Sequence, residues 1–210
     1  MPIAEQLVTD RKRARGQVER SALLILRALA AVVPEGQQIV ECGAFCGRST
    51  GWLLLGAQDG HGAHLTTVDP WGMRKDGYAP SSAEYTDAYP RFRDHMAAIG
   101  ATPGVLTVKR GYAASCAAKW SGAPVGLLFH DAEHSADAVA ADLAAWLPHL
   151  ADDAVVALHD AGNLEFGVEA GAAVVLDTDG WDWAGRQFTP WGRHPDRRGL
   201  LVVRRREATA

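Results

Sequence analysis

The order of segments in this chain predicts an α/β fold, a seven-stranded and mostly parallel sheet with helices on both faces. Three observations predict it. Seven short apolar runs alternate with stretches of helical periodicity. The first run feeds a glycine-bearing turn and then a helix, the pattern of a βαβ unit. A length of 210 residues, 48% hydrophobic and 22% charged, is enough to bury a core without disulfides or a structural metal.

The elements follow in order. Residues 18–33 place Leu23, Leu24, Leu26, Leu29 and Ala30 at helical spacing and stop at Pro34-Glu35-Gly36. This helix packs on its own sheet or on a second subunit, so a homo-oligomer stays open. Residues 38–43 (QIVECG) read as the first strand, and residues 49–58 as the helix after its turn. Residues 64–69 (HLTTVD) form a second strand that ends on an acid, and residues 105–109 a third. Residues 125–130 (VGLLFH) are the fourth strand, followed by an amphipathic helix over 135–150; residues 153–159 (DAVVALH) are the fifth. Residues 172–176 and 200–204 complete the set. With no internal repeat, low-complexity tract or linker, residues 1–210 read as one domain.

Residues 71–90 break the rhythm. They are rich in Gly, Pro, Ser, Tyr and mixed charge, too long for an ordinary connection, and follow the C-terminal end of a strand. Trp71, Tyr78, Tyr85 and Tyr89 make this insertion a lid or substrate wall, because aromatic area is costly to leave in water. A second irregular stretch, residues 177–195, holds Trp181, Trp183, Phe188 and Trp191 and lies at the same edge.

Charge narrows the partners. Lys plus Arg number 21 against 25 for Asp plus Glu, a net charge of −4 that weighs against a nucleic-acid binder. No apolar stretch approaches the roughly 20 residues that span a bilayer, so no membrane partner is expected. Residues 1–15 are charged and lack a signal-peptide apolar region. Cys42, Cys46 and Cys116 are an odd set that suggests no disulfide framework. A cytoplasmic chain is the expectation.

The run from Ile39 to Thr50 is a strand, a glycine turn and a helix start. Gly43 lets the backbone leave the strand sharply, and Gly47 lets a ligand approach without a Cβ in the way. Ser49 or Thr50 can cap the helix. The G-x-x-x-G spacing is neither the dinucleotide fingerprint nor a triphosphate loop, so a diphosphate is not the expected guest. Asp69, ending the next strand, is placed to accept both hydroxyls of a ribose. Glu41 orients the loop or meets a cofactor ammonium. This order of acid, glycine loop and acid resembles the S-adenosylmethionine site of class I methyltransferases. On that resemblance Glu41, Gly43, Phe45, Gly47, Ser49, Thr50 and Asp69 line the cofactor.

A second constellation ends the fourth and fifth strands, in Asp131, Glu133 and His134 and in His159-Asp160. Neighbouring strand ends bring such groups to one crevice. Asp131 and Asp160 can hold a hard divalent cation, and His159 adds a nitrogen better suited to Mn, Fe, Ni or Zn than to Mg. His134, three residues after Asp131, can take a proton from a bound hydroxyl.

The run from Val125 to Asp160 resembles the metal-dependent small-molecule O-methyltransferases of class I, including macrolide-sugar methyltransferases and cephalosporin-tailoring enzymes. The resemblance covers residues 38–160 and implies a Rossmann-like class I fold. It implies S-adenosylmethionine and a divalent metal, Mg or Mn, as cofactors. Asp131 matches the first metal-binding acid and also faces the cofactor, His134 the base of some members, and Asp160 the last acid of a pair. His159 stands where an acid is usual. Tyr112 and Ser115, after the third strand, are placed beside the adenine. The implied reaction is methyl transfer to a hydroxyl of a small natural-product or sugar-like molecule. Two alternatives stay open: a metal-independent O- or N-methyltransferase, and a non-catalytic ligand-binding relative.

Overall fold

A computed structural model of the chain describes residues 2–10, 15–72, 87–163, 165–176, 180–190 and 197–205. Its seven strands are β1 (Gln38–Cys42), β2 (Leu65–Asp69), β3 (Leu106–Arg110), β4 (Val125–His130), β5 (Leu150–Ala161), β6 (Trp181–Pro190) and β7 (Arg197–Arg205). They form one sheet in the order β3-β2-β1-β4-β5-β7-β6. The pairs β2–β3, β1–β2, β1–β4 and β4–β5 are parallel. Strand β7 runs antiparallel to both β5 and β6. The strand order therefore reverses between β1 and β4, where open α/β sheets leave a crevice beyond the carboxyl ends.

The helices are α1 (Glu5–Thr9), α2 (Arg20–Ala31), α3 (Arg48–Asp59), α4 (Ala88–Ile99), α5 (Ala113–Ala117), α6 (Ala136–Trp146) and α7 (Val168–Leu176). Successive strand residues point to opposite faces, and the core divides accordingly. Ile39, Leu127, Phe129, Ala157 and Leu200 face Leu23, Leu26, Leu53 and Phe92. Val40, Leu128, Val156, Leu158 and Leu201 face Val139, Leu143 and Trp146. The helix expected over 18–33 is α2, and its Leu23, Leu26 and Ala30 are buried on the chain's own sheet.

Two expectations are corrected at the C-terminal end. Residues 172–176, read as a strand, belong to the helix α7. An Ala-Ala-Val-Val-Leu run is apolar throughout, and its length alone does not separate strand from buried helix. Packing decides it: a Cβ on Gly171 would stand 2.6 Å from the Ala136 carbonyl, so the backbone of α7 rests on α6. The sixth strand is instead β6, within residues 177–195, read above as irregular; the register shift between Trp183 and Gly185 interrupts its alternation.

Of the insertion expected over 71–90, residues 73–86 lie outside the described residues, Tyr78 and Tyr85 among them. Trp191 and the side chains of Trp183 and Phe188 lie outside them as well. Trp71 is described, and it is no solvent-facing wall. It is 4% exposed, and its ring lies 4.9 Å from those of Tyr89 and Phe92.

Candidate functional site

The strand ends on either side of the crevice differ in how their acids are satisfied. On the β1–β2 side, Glu41 is fully buried and accepts hydrogen bonds from the hydroxyls of Ser49, Thr50 and Thr67 at 2.5, 2.6 and 2.7 Å. Ser49 and Thr50 come from the first turn of α3 and Thr67 from the adjacent strand. Burial pushes the Glu41 carboxyl up to about 7, against the pull of the three hydroxyls. Asp69 is equally occupied. Its Oδ2 accepts the amides of Ala44 and Phe45 at 2.9 and 2.8 Å, and its Oδ1 accepts that of Trp71 at 2.6 Å. Burial raises its pKa as well, while the three amides oppose the shift.

The loop is thereby built by its own acids. Phe45 sits at φ +47°, and its carbonyl accepts the Trp71 indole N–H at 2.7 Å. At Gly43, φ is +95° and an added Cβ would lie 2.0 Å from the Asp131 carbonyl oxygen. At Gly47, φ is +87° and a Cβ would meet Met96 and Phe92 of α4. Both glycines admit the chain's own atoms, where the sequence suggested room for a ligand at Gly47. The expected roles of Ser49 and Thr50 on a cofactor likewise give way to their bonds to Glu41. Of its two readings, Glu41 takes that of orienting the loop. Asp69, placed above on a ribose, is engaged by three loop amides, which leave a carboxylate some acceptor capacity.

On the β4–β5 side the acids face histidines. Asp131 Oδ1 accepts from His159 Nδ1 at 3.1 Å, and the same nitrogen lies 3.4 Å from Asp160 Oδ2. His159 Nε2 donates to Glu19 Oε2 at 2.9 Å. Carboxylates only accept, so the His159 ring, 1% exposed as a side chain, carries a proton on each nitrogen. Burial alone would lower its pKa, but Asp131, Asp160 and Glu19 raise it well above the usual value. Burial would raise Asp131; the His159 charge, the hydrogen bond from His159 and the neighbouring His134 imidazole hold it far below the usual carboxylate range.

That arrangement corrects the expected ligand set. With both nitrogens donating, His159 has no lone pair for a metal. Among the described residues, Asp131, His134 and Asp160 form a group whose ligand atoms lie within 4.8 Å of one another. His134 Nε2 stands 3.2 Å from Asp160 Oδ2 and 3.7 Å from Asp131 Oδ1, and its ring stacks on Phe166 at 4.5 Å. This nitrogen is buried and makes no hydrogen bond. Asp160 itself sits at φ +60°, a conformation uncommon outside glycine and a mark of local strain. Glu133 turns away from the site and accepts the amides of His134 and Ser135, fixing the turn ahead of α6.

Tyr112 is half-buried and precedes α5, and Ser115 is exposed on that helix. Asp142 of α6 joins this corner to β4, accepting the Ala114 amide at 3.0 Å and lying 3.1 Å from His130 Nε2. Cys42 and Cys46 are buried thiols. Glu19 and Phe166 escaped the sequence reading. Glu19 lies 140 residues from its partner, and no local spacing signals such a pair.

A family model described as a methyltransferase domain matches residues 40–161, more than half of the chain. No curated protein matches the sequence. Among solved structures, cofactor-bound Rv0187 from MTB is 18% identical, with a TM-score of 0.67 over 97% of this chain and 88% of that one. TomG from Streptomyces achromogenes, an O-methyltransferase of tomaymycin synthesis in complex with SAM, is 16% identical, with a TM-score of 0.66 over 97% and 89%. CalS11, a TDP-rhamnose 3'-O-methyltransferase of calicheamicin biosynthesis, is 17% identical, with a TM-score of 0.58 over 94% and 86%. At these identities the likeness is one of fold.

Proposed function

The chain belongs to the methyltransferase-domain family, and from that premise we propose that it methylates a hydroxyl of a small, sugar-like or natural-product molecule, with S-adenosylmethionine as donor and His134 as base. One observation carries the assignment of the base: His134 Nε2 lies buried at the sheet crevice, 3.2 and 3.7 Å from two carboxylates that would stabilise its charged form, without a well-aligned hydrogen bond. An acceptor hydroxyl supplies the missing partner. As its oxygen bonds to the methyl carbon, the carbon–sulfur bond breaks with its electron pair left on sulfur, and the hydroxyl proton passes to His134 Nε2. Asp131 and Asp160 stand ready to pair with the imidazolium that forms. Phe166 holds the ring plane.

The donor is assigned to the loop beyond β1 and to the crevice at the strand-order reversal. With Glu41 occupied by the chain, Asp69, the loop backbone over residues 43–47, Phe45, Tyr112, Ser115 and Asp131 would contact it. A cavity of about 510 Å³ lies beside the loop, lined by Arg15, Gln17, Phe45, Cys46 and Arg91 among others, within the size range of small-ligand pockets. Asp87 shares that lining and pairs with Arg91 at 3.8 Å, so of the two guanidinium groups Arg15 would be the one to meet a carboxylate such as the donor's. The small-molecule acceptor rests on the named reactions of TomG and CalS11 and on the net negative charge, which disfavours a phosphate backbone.

A second reading rests on the grouping of Asp131, His134 and Asp160. Two carboxylates and an imidazole suit a borderline divalent ion such as Mn, Fe or Zn better than Mg. Such an ion, when bound, would lower the pKa of the acceptor hydroxyl. His134 would then be a ligand, since one lone pair cannot both coordinate and take a proton.

The test is His134→Ala, assayed with labelled donor on a panel of hydroxylated acceptors. We expect kcat to fall by roughly 10² or more, with S-adenosylhomocysteine affinity unchanged by calorimetry. Wild-type turnover that survives exhaustive chelation supports the base. Turnover lost in chelator and restored by Mn supports the ligand role. A variant that keeps the full rate overturns both.

A further inference from the structure

Glu19 is the N-cap residue of α2, and its carbonyl accepts the Leu23 amide at 3.1 Å. Its side chain turns away from the helix into the crevice, where Oε2 meets His159 Nε2 at 2.9 Å. From the opposite edge of the same ring, Nδ1 reaches Asp131 Oδ1 at 3.1 Å. An imidazole gripped at both nitrogens can neither flip nor slide. Cut at Glu19, the ring regains rotation about its side-chain bonds, and Asp131 loses a donor of fixed direction. We propose that Glu19 is a positioning residue, which sets the His159 ring and through it the Asp131 carboxylate that faces His134. The inference rests on the reading that His134 and Asp131 work at the acceptor.

The side chain's other oxygen, Oε1, is buried without a hydrogen-bond partner. Only one oxygen of Glu19 is engaged, so a glutamine that presents its carbonyl oxygen to Nε2 can replace it in geometry while removing its charge. That separates positioning from charge. Partners in the layer behind a site of this kind typically change activity by about 10- to 100-fold.

The experiment compares Glu19→Ala, Glu19→Gln and wild type by three measurements. These are kcat and KM on an accepted hydroxylated substrate, S-adenosylhomocysteine affinity by calorimetry, and the carboxyl carbon resonance of Asp131 by NMR. We expect Glu19→Ala to lower kcat about tenfold or more, with KM and affinity within about twofold and the Asp131 resonance displaced. Glu19→Gln should restore most of the rate and return the resonance towards wild type. If Glu19→Ala does not fold, Glu19→Asp replaces it; one methylene shorter, it withdraws the acceptor and should give the same changes.

Wild-type kcat and an unmoved Asp131 resonance in the truncated variant overturn the proposal, as does a loss that Glu19→Gln fails to restore. The two readings fail separately. A displaced Asp131 resonance in a protein that methylates nothing sinks the proposed function and keeps the positioning. A slow His134→Ala beside an unaffected Glu19→Ala does the reverse.

Discussion

At the ends of β1 and β2, Glu41 and Asp69 are met by three hydroxyls and three amides, all from the chain itself. At the ends of β4 and β5, Asp131 and Asp160 are met by two imidazoles, and one of these, His134, keeps a buried nitrogen without a hydrogen bond. All four acids sit at carboxyl ends of parallel strands, the position associated with ligands in α/β sheets. Position therefore does not separate a structural acid from a working one. What differs is the donors: neutral hydroxyls and amides engage the first pair, while imidazoles meet the second, with His159 holding Asp131 well below the usual carboxylate range.

The sharpest way to break this contrast is to give the second region another acid. His159→Asp restores the residue type usual for the resembled family, and the sequence alone suggests a shift of metal preference. The structure implies a different result. The new carboxylate would replace a cation held between Glu19, Asp131 and Asp160. Removing the cationic partner of a buried ion pair costs about 3–5 kcal/mol. We expect a loss of that order in urea unfolding at neutral pH. An unchanged midpoint would show that His159 does not tie these acids together. In wild type, His159's raised pKa gives stability that is present below its usual value of about 6.5 and fades as pH rises through the raised one.

The first region predicts the opposite pH behaviour. Glu41 titrates near 7 in the fold against 4.5 outside it, so the folded state binds its proton more tightly. Its contribution to stability therefore falls as pH rises from about 4.5 to about 7, and is flat above, a loss of about 3 kcal/mol. Glu41→Gln abolishes that titration. The stability difference between variant and wild type should shift in the variant's favour by that amount between pH 4.5 and 8, measured by urea unfolding. A difference that stays constant across the range would mean Glu41 is ionised throughout.

These two regions also mark how far the sequence could be read. The strands β1 to β5, the glycine turn and the α2 helix were legible because period and punctuation are local signals. The gathering of Asp131, His134 and Asp160 was legible too, since adjacent parallel strands end together. The partners of each acid were not. Nothing local shows that Ser49 and Thr50 turn inward to Glu41, or that Asp69 holds amides two dozen residues earlier in the chain. Gly47 looked like room for a ligand because sequence shows a missing side chain but not what fills the gap, here Met96 and Phe92 of α4. Trp71 looked like a wall because aromatic area is costly to leave in water, yet it packs on Phe92 of a helix the periodicity had not revealed.

The smallest expected effect tests the closed region at a single donor. Thr67 is fully buried on β2 and donates to Glu41 Oε2, which Thr50 also serves. Thr67→Val keeps the branched shape, suits a strand and removes only the hydroxyl. Oε1 retains Ser49 and Oε2 retains Thr50, so no oxygen is stranded and the cost is that of one hydrogen bond, about 1 kcal/mol. The cost should depend on pH. The hydroxyl favours the ionised carboxylate, so its loss moves the Glu41 titration higher still and prolongs the fall in stability above pH 7. Well below pH 4.5 the carboxyl is protonated in both states, the hydroxyl serves a neutral acceptor and the variant should trail by less. Near pH 8 it should trail by about 1 kcal/mol. Equal deficits at both pH values would place the Thr67 hydroxyl in packing alone, and the first region would lose its account as a cage built for a charge.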